Sequence, residues 1–431
     1  MARYLIIFED EGFSGFRPLT LTRPVWDLAA GILSLKDKLL RGIAAASARP
    51  EWKDFRSDGL KVGFCLRDYL APGYPGAVTS LEEEARDEGL LSLVNGRLIW
   101  DVETAGRIDP AWEGAYVKEG SLVWANVPAA GLGSFRPGSG KGLDVGAFPG
   151  LERRPLEARL AGRPWDLLQL NAREIEADFN LLGGAGVESD LPQGVHLVAP
   201  ERMRIGRSVK LSPGAVLDAS AGPVNIDDEV TVMANAALCG PLHVGRGSVI
   251  KMGARIYGET SIGPVCKIGG EVAESTVLGF TNKQHDGFLG HSYLGKWINL
   301  GAGTDTSDMK NNYSTVRVGP PGGEEDTGEL FAGLFMGDHS KCGIGTTFNT
   351  GSVVGVCCNI FGAGYPPKYV PSFSWGGSGR FTVHELAGAV RTVGRAMQRR
   401  NIQMGSRIEA ILGRVYEITE PDRQAFLGAS H

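Results

Sequence analysis

One stretch of this chain concentrates residues able to move protons. It runs His285-Asp-Gly-Phe-Leu-Gly-His291 and leads into the turn Asn299-Leu-Gly-Ala-Gly-Thr304. The residues around it are mostly glycine, valine and isoleucine, which carry no chemistry of their own. Imidazole titrates near neutral pH, so a histidine here can take a proton from an attacking nucleophile. An amide side chain such as that of Asn299 can hold a polar substrate group. A histidine in this setting is a candidate general base for acyl transfer. His285 is the expected general base, oriented by a backbone carbonyl or a carboxylate.

Those residues sit in a repeating pattern. From about 195 to 364 an aliphatic residue recurs at near six-residue spacing and is followed by a small one: Ile205-Gly, Val244-Gly, Ile256-Tyr-Gly, Ile262-Gly, Ile268-Gly, Leu294-Gly, Leu300-Gly, Met336-Gly, Ile344-Gly and Val354-Gly. Many such hexads mark a parallel β-helix. The aliphatic residue points inward and stacks on neighbouring coils, and the small one relieves crowding where the chain turns. Phe280–Gly290 and Met309–Gly328 interrupt the pattern and read as excursions, which in solenoids often carry binding residues. Beyond Trp375 the apolar stripe Leu386, Val390, Val393, Met397 predicts a helical cap over the last coil.

The first part of the chain reads differently. Tyr4–Phe8 and Val62–Leu66 are short apolar strands, and Ile32–Ile43 has helical spacing with Leu35, Leu39, Leu40 and Ile43 on one face. Pro164-Trp-Asp-Leu-Leu168 leads into a helix over Asn171–Phe179, and the glycine-rich Gly131–Gly150 reads as a loop. Alternating strands and helices favour an α/β fold with a mostly parallel sheet. The expected division is residues 1–185, 186–375 and 376–431.

Composition narrows the function classes. A formal charge of −5 gives no reason to expect nucleic acid. No apolar run approaches the roughly 18 residues of a membrane helix, and the short opening run is followed at once by acids, unlike a secretion signal. Six cysteines with no Cys-x-x-Cys pair fit free thiols in a cytoplasmic protein.

The solenoid half resembles the hexapeptide-repeat acyltransferases, and more narrowly the acetyltransferase half of the bifunctional N-acetylglucosamine-1-phosphate uridyltransferase/glucosamine-1-phosphate N-acetyltransferases, in a divergent bacterial branch. The resemblance rests on Asn282-Lys-Gln-His-Asp-Gly-Phe-Leu-Gly-His-Ser292, Asn299–Thr304, Lys310-Asn-Asn-Tyr313, Met336-Gly-Asp-His-Ser-Lys-Cys-Gly343 and Phe361–Lys368. It implies a left-handed β-helix, a homotrimer, acetyl-CoA as co-substrate and an amino sugar phosphate as acceptor. In that family a histidine lies fourteen positions before the asparagine of the Asn-x-Gly-Ala-Gly-Thr turn, which places the base at His285 rather than His291. It also implies that Asn299, Asn312 and Tyr313 contact the sugar or acetyl group and that Ala302 offers backbone groups to acetyl-CoA. The family's tyrosine three positions after the histidine is Phe288 here, which removes a hydroxyl.

The amino-terminal half is similar to the sugar-1-phosphate nucleotidyltransferases through Arg17-Pro-Leu-Thr-Leu-Thr-Arg-Pro24. That similarity implies nucleotide contacts at Arg17 and Arg23 and formation of an NDP-sugar such as UDP-N-acetylglucosamine from a nucleoside triphosphate. The family's glycine-rich phosphate loop is replaced by Phe8-Glu-Asp-Glu-Gly-Phe-Ser-Gly15, its arginine by Gly15 and its lysine by Val25. Acids beside a triphosphate repel it unless a cation lies between, so Asp10 is the expected Mg²⁺ ligand, with Glu9 and Glu11 beside it. The resulting expectation is an α/β nucleotidyltransferase-like domain, then a left-handed parallel β-helix of hexapeptide repeats with a C-terminal helical cap. Two other classes stay open. One is a hexapeptide metalloenzyme of carbonic anhydrase type using His285, His291 and His339; the other is a non-catalytic binding protein with decayed sites.

Overall fold

The computed structural model describes residues 4–56, 60–78, 90–128, 143–377 and 379–429. The glycine-rich segment expected as a loop lies outside them over residues 131–142. The chain packs into two compact units. The first holds residues up to Phe16, Arg23–Leu28 and Leu33–Arg163. The second holds Arg17–Thr22, Ala29–Ile32 and everything from Pro164. The boundary drawn at 185 from periodicity marks where the coils begin; packing draws it at Arg163, because the helix Pro164–Leu181 belongs with the coils.

The first unit is built on a six-stranded sheet in the order 61–65, 4–8, 90–95, 121–128, 114–118, 153–155. Tyr4–Phe8 pairs in parallel with both neighbours. Three of its five strand pairings are parallel and two antiparallel, since Gly114–Lys118 and Ser121–Pro128 form a hairpin and the latter also runs antiparallel to Leu90–Asn95. Its tight turn is Glu119-Gly120, both with left-handed φ. Behind the sheet, Trp52 meets Trp100 and Trp124 edge-on at centroid distances of 5.5 and 5.6 Å.

The second unit is the expected parallel β-helix with three strand faces. Ile205, Ile226, Val244, Ile262, Val277, Leu294, Met336, Val354 and Val370 follow one another in register from coil to coil. Each is at most 2% exposed. A buried aliphatic side chain contributes roughly 1.5–3 kcal/mol, and such columns are the solenoid's core. The glycines after them are needed for close approach: a Cβ on Gly263 would lie 2.6 Å from the Leu278 carbonyl oxygen. Left-handed corner positions are held by glycines such as Gly247 and Gly253 and also by residues with side chains, among them Glu259, Glu274, Phe280, His291 and Trp297.

Only one of the two expected interruptions leaves the coil. Residues 280–290 continue the solenoid through Asn282–Lys283 and Phe288–Gly290. The hexad fails there because Lys283 occupies the inward position in register with Ile268. The real excursion follows Thr306 and carries the small antiparallel pair Arg317–Val318 and Glu325–Asp326. At the far end, Phe381–Val383 closes antiparallel on Ser374–Gly376. Phe426 and Leu427 of the last helix, outside the predicted stripe Leu386–Met397, pack against the solenoid core. No helix among the described residues is long and apolar enough to cross a membrane.

Candidate active site

The turn after Lys283 is fixed by an inward lysine. Lys283 is 2% exposed, and its Nζ donates to the carbonyls of Gly269, His285 and Gly287 at 3.0, 3.2 and 2.6 Å. Three donors meeting three carbonyls satisfy the ammonium completely. Burial pulls its pKa down to about 8, against the nearby carboxylates of Asp305 and Asp286. Gly303 N–H donates to the Asp286 carbonyl and fastens the same turn from the next coil. The backbone around His285 is therefore held from three sides. The imidazole itself is exposed and makes no hydrogen bond among the described residues. The orienting carbonyl or carboxylate expected for a base is not found there.

Asn299 lies one coil on, bridged in parallel to Asn282 on one side and Lys341 on the other. Asn282 Nδ2 donates to Asn299 Oδ1 at 3.3 Å, and Arg400 Nη2 donates to Asn282 Oδ1 at 2.6 Å. The expected substrate amide thus ends a chain of bonds that starts just past the helix Leu386–Gln398. Ala302 has its carbonyl engaged by Gly345 N–H. Asn312 and Tyr313 sit apart from this turn in sequence and lie on the excursion. Asn312 Oδ1 accepts from Ser314 N–H and Oγ–H, and Tyr313 is 69% exposed.

His291 occupies a different and more enclosed place. Its Nδ1 lies 2.9 Å from Asp308, its Nε2 contacts Glu274, and its ring stacks on Phe331 at 4.8 Å. Burial opposes the charged ring, but the hydrogen bonds to Asp308 and Glu274 outweigh it and hold the pKa up at about 9. An imidazolium bonded on both nitrogens is not a free base. Asp308 and Phe331 stand at the two ends of the excursion, whose neck is closed by Ala332 N–H on the Asp308 carbonyl. His291 therefore pins both ends of the loop carrying Asn312 and Tyr313. It also lines a cavity of about 270 Å³ with Trp165, Glu259, Glu274, Glu329 and Phe331. Sequence spacing could not show this, because its partners lie one coil before and one coil after. The third histidine, His339, is buried in a ring stack with Trp297 at 6.0 Å. Among the described residues no group of three or more His, Cys, Asp or Glu is placed to hold a metal ion.

The acidic loop of the first unit forms a short 3-10 helix, Glu11–Phe16. Glu9 is buried, takes Arg67 Nε at 3.0 Å and accepts Val25 N–H at 2.9 Å. Asp10 is buried too. Its Oδ1 accepts from Arg97 Nε at 2.7 Å, and its Oδ2 from Asn95 Nδ2 at 2.8 Å and from Arg97 Nη2. Arg97 also fills the space a side chain at Gly12 would need. A Mg²⁺ ion would have to displace a guanidinium from Asp10, so these residues do not fit the expected metal site. Arg23 is 7% exposed, and its carbonyl accepts from Arg67. Arg17 is exposed and falls in the second unit, where its charge acts on Tyr369. The two arginines are not gathered within one unit.

Comparison with known proteins follows the same division. Residues 5–185 match the family described as sugar nucleotidyl transferase. The bifunctional protein GlmU of Synechococcus elongatus is 28% identical over 222 residues, covering 45% of this chain and 48% of its own length. GlmU of Bordetella parapertussis is 26% identical over 225 residues, 47% of this chain and 49% of that protein. The chain spans about half the length of the curated relatives it matches. Among solved structures, the Arabidopsis UDP-N-acetylglucosamine acyltransferase covers 50% of this chain and 78% of its own at 14% identity. The TM-score of that match is 0.22.

Proposed function

Given that the chain is a divergent relative of the bifunctional GlmU proteins, we propose that its solenoid transfers an acetyl group from acetyl-CoA to the amine of a sugar phosphate such as glucosamine-1-phosphate. The observation that carries this reading is the turn at His285: rigid backbone, held by Lys283, presenting an imidazole with no internal partner. A general base needs a nitrogen open to the substrate, which an imidazole bonded to carboxylates on both nitrogens, as at His291, does not offer. The amine nitrogen attacks the thioester carbonyl, a C–N bond forms and the C–S bond breaks. His285 takes the ammonium proton, and the coenzyme A thiolate leaves to be protonated in turn. Asn299, steadied by Asn282, holds the acceptor or the acetyl oxygen. Ala302 lies against the carrier, and Asn312 with Tyr313 approaches the sugar from the excursion.

The first unit is assigned, on its family match, nucleotidyl transfer from a nucleoside triphosphate to a sugar-1-phosphate, which forms an NDP-sugar and releases pyrophosphate. Its loop geometry supports this less than the turn at His285 supports acyl transfer, because the loop's acids and guanidinium groups neutralise one another. The assembly is taken to be a homotrimer, as the family resemblance implies. Light scattering checks this, and a monomer with full transfer activity would contradict it.

The test is a product assay with glucosamine-1-phosphate, acetyl-CoA and UTP, each omitted in turn. N-acetylated sugar phosphate should form whenever acetyl-CoA and the amino sugar are present, with or without UTP. No acetylated product under any combination would remove the proposal.

A further inference from the structure

The helix Leu386–Gln398 ends against one face of the solenoid, and four cations meet at that seam. Arg400, just past the helix, reaches Asn282 at 2.6 Å. Asn282 is the register neighbour of Lys267 on the adjoining strand. Lys251 lies one coil before, its N–H bonded to the Ile268 carbonyl at 2.7 Å. Arg399 precedes Arg400 and is exposed. Among the described residues none of the four pairs with a carboxylate. Elsewhere on the solenoid, Arg207 has Asp228, Arg246 has Glu229 and Arg255 has Glu271. Burial and then the like charges of Arg400, Lys251 and Arg399 hold Lys267 below the usual lysine range.

Crowding cations without a counter-charge costs free energy. The negative end of the helix dipole accounts for arginines in its last turn. It does not account for two solenoid lysines facing them. The helix also offers Arg391 and Arg395, which line a cavity of about 420 Å³ with Trp375, Thr382 and the carboxylate-bearing Glu385.

We infer that the seam of Lys251, Lys267, Arg399 and Arg400 is a binding site for the phosphate groups of a phosphate or diphosphate ester. The Arg400–Asn282–Asn299 chain of hydrogen bonds would carry its occupancy to the expected substrate amide. That the ester is a substrate of this protein rests on the acyl-transfer reading; the anion site itself does not.

The probe is inorganic pyrophosphate, titrated calorimetrically into the intact chain. Wild type should bind it at one site, more weakly as salt rises. Losing one charge-assisted contact should weaken binding roughly tenfold in each of K251Q, K267Q and R400Q. K251Q and K267Q leave the helix sequence untouched, so a loosened cap in R400Q would not decide the matter. R414Q, whose arginine pairs with Glu417, should bind as wild type does. No binding, or equal binding by all three variants, overturns the site. Displacement by coenzyme A assigns it to the carrier's phosphates, and displacement by glucosamine-1-phosphate assigns it to the acceptor's. Displacement by neither means adventitious anion binding and overturns the ligand class. Binding is read without turnover, so an inactive acyl centre and an empty seam give different results.

Discussion

The acidic loop of the first unit and the coil around His285 both gather charged side chains, and they dispose of that charge in opposite ways. Glu9 and Asp10 are each matched to a guanidinium inside the fold. Lys283 is matched to carbonyls, which freezes a turn and leaves His285 free. At the seam, among the described residues, no carboxylate pairs with the cations. Charge neutralised within the chain builds a scaffold. Charge or hydrogen-bonding capacity left open is where a ligand can be recognised. By that measure the acids of the first unit's loop are spent on scaffold, and the proposed acyl-transfer site lies where the solenoid leaves capacity open.

The sharpest way to break this contrast is at His285. His285→Ala should lower acetyl transfer roughly 10²–10⁴-fold, the usual range for a general base, with coenzyme A affinity unchanged. A larger loss in His291→Ala would move the base into the enclosed cavity and undo the contrast. Next comes Asp10→Ala, which strands Arg97 in a buried site and should cost about 3–5 kcal/mol in urea unfolding of the first unit. A stable variant that loses Mg²⁺-dependent UTP binding would instead make Asp10 the metal ligand expected from the sequence.

A smaller effect is expected at the excursion. In the folded protein the pKa of His291 is raised from the ordinary 6.5 to about 9 by its bonds to Asp308 and Glu274. Its contribution to holding the loop is therefore fully present below about pH 6.5 and lost as pH rises through 9. Glu259, Glu274, Asp308 and Glu329 are the charged groups that face it. Limited proteolysis of residues 307–333 should accelerate several-fold between pH 7 and 10. In His291→Gln it should be fast throughout and flat with pH. A wild-type loop indifferent to pH would remove the latch. The smallest effect belongs to a surface pair, Arg255 with Glu271. Arg255→Gln should change stability by less than about 1 kcal/mol and leave transfer unaltered; a large loss of transfer would show that matched charges matter here as much as open ones.

The solenoid was legible because an inward column must be refilled at every coil, so Ile205, Ile226, Val244 and Ile262 declare themselves by spacing alone. The coil at 280–290 hides from the same pattern. Lys283 breaks the aliphatic rule at an inward position, and only the three carbonyls around its ammonium explain how a lysine can sit there. His291 could not be read, since Glu274 and Asp308 become its neighbours only once coils stack. In the first unit the arginine-rich motif was visible, but Arg97 and Arg67, which neutralise its acids, lie far along the chain with nothing in their spacing to point to the loop. The hairpin turning at Glu119-Gly120 likewise hid the antiparallel half of the sheet.

Residues Arg17–Thr22 and Ala29–Ile32 pack with the coils, although they precede most of the first unit in the chain. Tyr293 Oη both accepts from and donates to the Ala29 backbone at 2.8 Å. Asn171 and Asp178 receive the N–H groups of Gly31 and Ile32, and Asp338 receives the Thr22 hydroxyl. A growing chain therefore exposes these segments well before their partners have been made, and they must wait through the synthesis of the whole first unit. No single cut can release the solenoid complete. A fragment beginning at residue 186 would lack both segments and the helix that clasps one of them, and exchange of the two halves with related genes at that boundary would leave those backbone groups and the Tyr293 hydroxyl without their partners.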